Sequence, residues 1–112
     1  MTTAVSNIIP AKQAENAQTT QYTSTGVKTI IDKFTVTNTT GGPVTFACNL
    51  IASGGAPGVA NLILSRTILA TQCYTCPELI GHVLEIGDFI STIAGAATSL
   101  TIRASGRQVA SS

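Results

Sequence analysis

Val44-Thr-Phe-Ala-Cys-Asn-Leu50 is the stretch that decides the fold, because its side chains alternate in character. The larger apolar residues fall on every second position, and smaller or polar residues fall between them. A period of two is typical of a β-strand that buries one face. The preceding segment, Asn38 to Pro43, contains two glycines and a proline, which favour a chain reversal. The pattern predicts a β-hairpin that joins residues 30–37 to residues 44–50.

Working outward in both directions, further short apolar segments are separated by turn residues. They predict additional strands over residues 61–69, 70–76, 82–86, 89–94 and 100–104, and one helical turn over residues 77–81. About seven or eight strands, spaced by turn signals roughly every 8 to 12 residues, are typical of sandwiches and barrels. We predict an all-β, antiparallel two-sheet sandwich of jelly-roll type with an extended N-terminal arm. An immunoglobulin-like sandwich is the competing topology.

Composition agrees with this fold class and excludes some functions. The chain has 112 residues, enough for one domain, with 18 Thr and 9 Ser but only 10% charged residues. The formal net charge is +1, and the six basic residues are scattered singly along the chain. Nucleic-acid-binding proteins usually concentrate basic residues on one surface. We therefore expect no nucleic-acid partner.

Changes in composition predict where the domain lies. Residues 1–25 are small and polar and predict an extended arm or an edge strand, residues 26–106 predict the sandwich, and residues 107–112 predict a short polar tail. The first residues lack the basic and apolar regions of a signal peptide, and no apolar run approaches the roughly 20 residues that span a bilayer. We expect a protein made in the cytoplasm, without a membrane partner.

Two cysteines, Cys73 and Cys76, have a spacing that suits metal binding or disulfide exchange. A structural zinc site needs four ligands, and only Cys48 and His82 are left to complete it. A redox pair normally precedes a long helix, whereas the turn predicted after Cys76 is short. An odd number of cysteines argues against a fully paired disulfide framework. Packing in the core is the favoured interpretation, with metal binding and redox chemistry as alternatives.

Other candidate groups also favour a structural interpretation. His82 is the only histidine, and neither Ser91 nor Asp88 has a sequence reason to converge on it. Glu78, Glu85 and Asp88 are close in sequence but fit exposed loops between strands. Gly54-Gly55-x-x-Gly58 lacks the Lys-Ser/Thr ending of a phosphate-binding loop. We expect no enzymatic activity, no catalytic residue, no cofactor and no metal ion.

Three segments resemble small structural proteins of tailed-bacteriophage virions. They are IIDKFTVTNTTGGPVTFACNLIASGG, CPELIGHVLEIGDFISTIAG and LTIRASGRQV, which together cover about half of the chain between Ile30 and Val109. Within that group the chain resembles capsid cement, or decoration, proteins with a jelly-roll fold. The resemblance implies a homo-oligomer, a dimer or trimer, that binds the major capsid protein on the outer capsid surface and stabilises the shell.

Residues 1–25 are the expected capsid contact, because an arm poor in apolar residues orders best against a partner. Deletion of residues 2–20 is then expected to leave the domain folded and to reduce its occupancy on capsids. Residues 61–69 are apolar at both parities where they begin, which favours contacts on both faces and self-association. The alternative function is a virion adhesin that binds a host receptor or glycan through loops such as residues 53–58. A chain with no Trp and 4% aromatic residues argues against glycan binding.

Overall fold

The computed structural model describes residues 2–110, and it confirms an all-β sandwich of two antiparallel sheets. Sheet A has the strand order β1-β9-β3-β6, with β7 also paired to β3, and sheet B has the order β2-β8-β4-β5. The strands are β1 (Thr2–Gln13), β2 (Thr19–Thr23), β3 (Lys28–Asn38), β4 (Val44–Ile51), β5 (Leu62–Ile68), β6 (Cys73–Tyr74), β7 (Val83–Leu84), β8 (Phe89–Ala94) and β9 (Leu100–Ala110).

The strand order is that of a jelly roll. The first strand pairs with the last, β2 pairs with β8, β3 pairs with β6 and β7, and β4 pairs with β5, all antiparallel. With β6 and β7 counted as one interrupted strand, this nesting gives eight strands in two Greek keys. The sequence predicted this architecture, and an immunoglobulin-like order is excluded.

The core lies between the two sheets and is built from the alternating positions of the strands. Phe34 of sheet A and Phe46 of sheet B meet at its centre, with ring centroids 6.2 Å apart and a tilted geometry. Ile9, Ile90 and Ile102 are fully buried in the same cluster. The inward positions predicted for residues 44–48 are all buried, because their period of two matches the pleat of β4.

The predicted hairpin between β3 and β4 is wrong. The reversal over residues 38–43 is present, but β3 pairs in sheet A whereas β4 pairs with β5 and β8 in sheet B. Buried Asn38 holds this crossing, since its amide nitrogen donates to the carbonyls of Gly42 at 2.8 Å and Ile68 at 2.9 Å. The turn therefore carries the chain from one sheet to the other.

Both ends of the chain form more regular structure than their composition suggested. Strand β9 extends through residues 107–110, which we assigned to a polar tail, and these residues pair with β1 and β3. Residues 2–13 and 19–23 form the edge strands β1 and β2. Residues 1, 111 and 112, which belong to the predicted arm and tail, lie outside the described residues.

In residues 2–110, no helix has the length and apolar character needed to cross a membrane.

Candidate binding surfaces

The three cysteines occupy different environments. Cys48 is on the inward face of β4, and Cys76 is buried in the turn after β6, where its thiol donates to the carbonyl of Tyr74 at 3.7 Å. Cys73 is exposed. Burial raises the pKa of the Cys76 thiol to about 12, with the nearby Glu78 carboxylate adding to the rise, and burial also raises the pKa of Cys48. Cys48 and Cys76 are therefore neutral thiols at pH 7, which are poor nucleophiles and poor metal ligands.

No group of three or more His, Cys, Asp and Glu side chains in residues 2–110 has an arrangement that could hold a metal ion. His82 is exposed at the edge of sheet A, where its backbone carbonyl accepts a hydrogen bond from Ile31. Ser91 is buried on sheet B, and its hydroxyl bonds Gln18 and the carbonyl of Thr19. The structure does not bring the histidine and the serine together.

Each of the three clustered carboxylates has its own partner. Glu85 pairs with Lys28 at 3.2 Å, and Asp88 accepts hydrogen bonds from the backbone amides of Ser53 and Glu85. Tyr74 donates to both carboxylate oxygens of Glu78, at 2.7 and 2.8 Å, and this bond holds the pKa of Glu78 below its usual value. These carboxylates close loops and join elements rather than face one another.

One of these groups, Glu78, belongs to a polar clamp that we define as Arg66, Tyr74 and Glu78. The Arg66 guanidinium lies 4.6 Å from the centre of the Tyr74 ring and 3.7 Å from a Glu78 oxygen. Arg66 is on β5 and Tyr74 is on β6, so the clamp joins sheet B to sheet A along one side of the sandwich. The clamp connects an edge strand of each sheet, and no local sequence pattern marked these three residues as partners.

The N-terminal residues proposed as the capsid contact are part of the domain. Ile8, Ile9 and Ala14 are buried in the core, and the backbone of β1 covers β9. Removal of residues 2–20 would delete these core side chains together with β1 and would expose the edge of β9. The structure thus contradicts our expectation that the domain stays folded without them.

The loop proposed for receptor binding is exposed but held in place. Asn49 donates to the carbonyl of Gly58 at 3.0 Å and to the side chain of Asn61 at 2.7 Å, and Asn61 in turn donates to the carbonyl of Ala56. The loop covers one half of the outer face of sheet B. This cover explains why Ile51, which has the outward parity of β4, is fully buried.

The other half of that outer face is open and lacks charge. A depression of about 340 Å³ is lined by seven residues, among them the outward-facing Thr45, Ala47, Ser65, Ile93 and Gly95. It continues past Ala47 to Val59 and Leu62, which are both exposed. We call this region the sheet B surface and define it by the residues named here.

The strands of sheet B are also poor in charged residues. Arg66, in the polar clamp, is the one charged residue in the four strands of sheet B, all of which the structure describes. Sheet A, by contrast, has six charged residues in its strands: Lys12, Lys28, Asp32, Lys33, Arg103 and Arg107. Composition alone did not predict this separation of charged residues, because the strands of the two sheets are interleaved along the chain.

No protein-family model matches the chain, and no curated protein matches its sequence. One solved structure is similar, a chain of the Bacillus endospore appendages, which are described as a novel family of disulfide-linked pili. The TM-score is 0.56 at 16% sequence identity, and the match covers 98% of this chain and 90% of that chain. The likeness establishes a shared all-β fold.

Proposed function

We propose that this protein is a structural subunit that binds other protein subunits through the sheet B surface. The observation that carries the proposal is the open, uncharged half of the outer face of sheet B, with exposed Val59 and Leu62 at its margin. The centres of protein–protein interfaces are depleted in charged residues and rich in apolar ones. A surface that stays in water would normally carry more charge than this one.

The assembly that we propose is the capsid of a tailed bacteriophage, with this protein as a cement protein on the outer shell. The resemblance between Ile30 and Val109 supports this assignment, and the jelly roll is the fold that the resemblance implies. The partner would be the major capsid protein. Binding only to the assembled shell would stabilise the shell by mass action, without any catalytic group.

A polymer of this chain alone is the second candidate, and the similarity to a pilus-forming protein favours it. Disulfide bonds alone would not link the chains of such a polymer. Cys48 and Cys76 are buried, and Cys73 is the one exposed cysteine of the three in the sequence. A single disulfide per chain joins two chains and no more. We therefore propose non-covalent cohesion for either assembly.

The test is co-sedimentation of the purified full chain with empty shells built from the major capsid protein of the same genome. Thr45→Lys places a charge in the sheet B surface, on an inner strand of sheet B. The control, Thr35→Lys, makes the same change on the outer face of β3, an inner strand of sheet A. We expect the first variant to bind shells at least about tenfold more weakly, which corresponds to about 1.4 kcal/mol, and the second to bind like the wild type.

Three other results would change the proposal. Equal binding by both variants would exclude the sheet B surface. Filaments of the pure protein in electron micrographs, without shell binding, would favour the polymer. If the wild type neither binds shells nor forms filaments, the proposal of a structural subunit is wrong.

A further inference from the structure

The first half of β1 is an open strand edge. β1 lies at the end of sheet A, paired with β9 on one side and with no described strand on the other. Its register with β9 is regular from Thr2 to Ser6 and then shifts twice before Lys12. Proline, lysine and bulges are the usual protections of an edge against strand pairing, and Pro10 and Lys12 place them in the second half only.

The outer face beside this edge combines three apolar side chains with one arginine whose charge is paired. Gln108 points toward sheet B, since its side chain donates to the Tyr22 hydroxyl at 2.9 Å, so the neighbouring Arg107 points outward, where it pairs with Asp32. Val5 and Ile30 lie opposite Arg107 on the two flanking strands, and Val83 lies opposite Ile30.

These positions form a row across sheet A. Val5 is 87% exposed and Val83 is 49% exposed. Val109, two residues beyond Arg107 on β9, extends the same face beside them. Arg107 lies within this row, and Asp32 compensates its charge. A row with exposed valines that ends at an unpaired strand can be extended by another strand that brings apolar side chains of its own.

The other edges of the sandwich are less suited to pairing. β2 has five residues and an irregular register, and the side chain of Gln21 on this strand is held by Glu15 and Thr92. β5 carries the Arg66 clamp, and β6 and β7 have two residues each. The edge from Thr2 to Ser6 is therefore the one long enough, regular enough and neutral enough to accept a strand.

We propose that this edge binds the same edge of a second copy, so that two chains pair antiparallel through residues 2–6 about a twofold axis. Such an axis, perpendicular to the sheet, places the same face of both copies on the same side and brings the two Val5 side chains near each other. The edge has no charge to repel its equivalent, and the chain as a whole carries only +1.

The inference rests on the proposed structural function and names the contact between copies. The sheet B surface remains free for the shell, because it belongs to the other sheet. Five paired residues and one row of mainly apolar side chains make a small interface, so we expect a dimer with a dissociation constant in the micromolar range.

The experiment is sedimentation velocity of the full chain over the micromolar concentration range. Val5→Lys puts two like charges near the twofold axis, and we expect dimerisation to weaken at least about tenfold. The control, Leu69→Lys, puts the same charge at a leucine that is 61% exposed directly after β5, outside both the β1 edge and the sheet B surface, and should dimerise like the wild type. A mixture of the Val5→Lys and Val5→Glu variants should recover association, because the charges then attract.

Amide hydrogen exchange followed by NMR gives a second readout of backbone pairing. Protection of amides in residues 3–6 should increase with protein concentration in the wild type and not in Val5→Lys. A wild type that stays monomeric, a Val5→Lys variant that dimerises fully, or an equal loss in Leu69→Lys would each overturn the β1 interface. Shell binding by a monomeric wild type would overturn this inference alone and leave the proposed function standing.

Discussion

Sheets A and B have the same secondary structure but opposite surface chemistry. Sheet A carries six charged residues in its strands, and its Asp32–Arg107 pair lies exposed on the outer face. Sheet B has only Arg66, and half of its outer face is open and uncharged. Since both sheets bury their inner faces in one core, the difference is not needed for folding. The proposed function accounts for it by giving the two outer faces different surroundings.

The largest expected effect on stability comes from replacing one glycine in or beside each sheet with alanine, which adds one methyl group at each site. A Cβ atom at Gly106 on β9 would overlap the backbone carbonyl of Ile30, which cannot move without disturbing β3. At Gly95, after β8, the first obstacle is the Thr45 hydroxyl, which can rotate away. We expect Gly106→Ala to lower the free energy of unfolding by about 3 kcal/mol and Gly95→Ala by about 1 kcal/mol.

Urea denaturation of the two glycine variants checks this difference. Equal losses would show that sheet A adjusts its strand spacing as readily as a side chain changes rotamer. Such a result would remove the distinction in rigidity between the two sites.

A smaller effect is expected at the crossing between the sheets. Replacing Asn38 with alanine leaves the carbonyls of Gly42 and Ile68 without their donor, and we expect a loss of about 2 kcal/mol in unfolding free energy. Asn49→Ala is the matched control, a buried asparagine that holds a loop of sheet B only. Thermal unfolding should show the larger loss of stability for Asn38→Ala. The reverse order would show that the hydrogen bonds at the crossing contribute less than those that hold the loop.

The smallest effect concerns the polar clamp and its pH dependence. The Tyr74 hydrogen bond is the main cause of the lowered pKa of Glu78, with Arg66 contributing less. A carboxyl whose pKa is lowered by folding stabilises the protein above its unfolded pKa, and that stabilisation is lost as the pH falls through the folded pKa. Tyr74→Phe should therefore raise the Glu78 pKa toward its usual value and reduce the acid sensitivity of stability.

The pKa of Glu78 can be followed by NMR titration, with Asp32 as an internal control in sheet A. The pKa of Asp32 is lowered by Arg107, which Tyr74→Phe does not touch. An unchanged Glu78 pKa in the variant would show that the hydroxyl is not the main cause. A parallel change at Asp32 would point to a general disturbance of the fold.

Local patterns predicted much of the fold. The alternation in residues 44–50 gave the inward face of β4, and the apolar segments near residues 62–68 and 89–94 gave β5 and β8. These predictions succeed because the period of side chains along a strand is a property of neighbouring residues. The turn over residues 38–43 was also predicted from its Gly and Pro residues, yet the sheet that each flanking strand joins was not.

The candidate surfaces were less accessible to sequence reasoning. Val5 lies in a polar segment and Ala47 lies among small residues, so neither has a special local pattern. Each belongs to a candidate surface only because strands distant in the chain lie beside it. Residues 61–69 looked apolar on two faces, but in β5 Leu64 and Ile68 point into the core while Leu62 is exposed at an edge. Edges and open faces depend on which strands lie side by side.

By itself, then, the sequence determined that the chain is a nearly neutral, all-β domain, since composition and period act through local backbone preference. Only the tertiary structure decided that β3 and β4 belong to different sheets, that residues 2–13 form the edge strand of sheet A, and that sheet B is left without charge on its open face. The physical reason is that strand pairing and burial are made by contacts between distant residues, and those contacts alone determine which edges and faces remain for a partner.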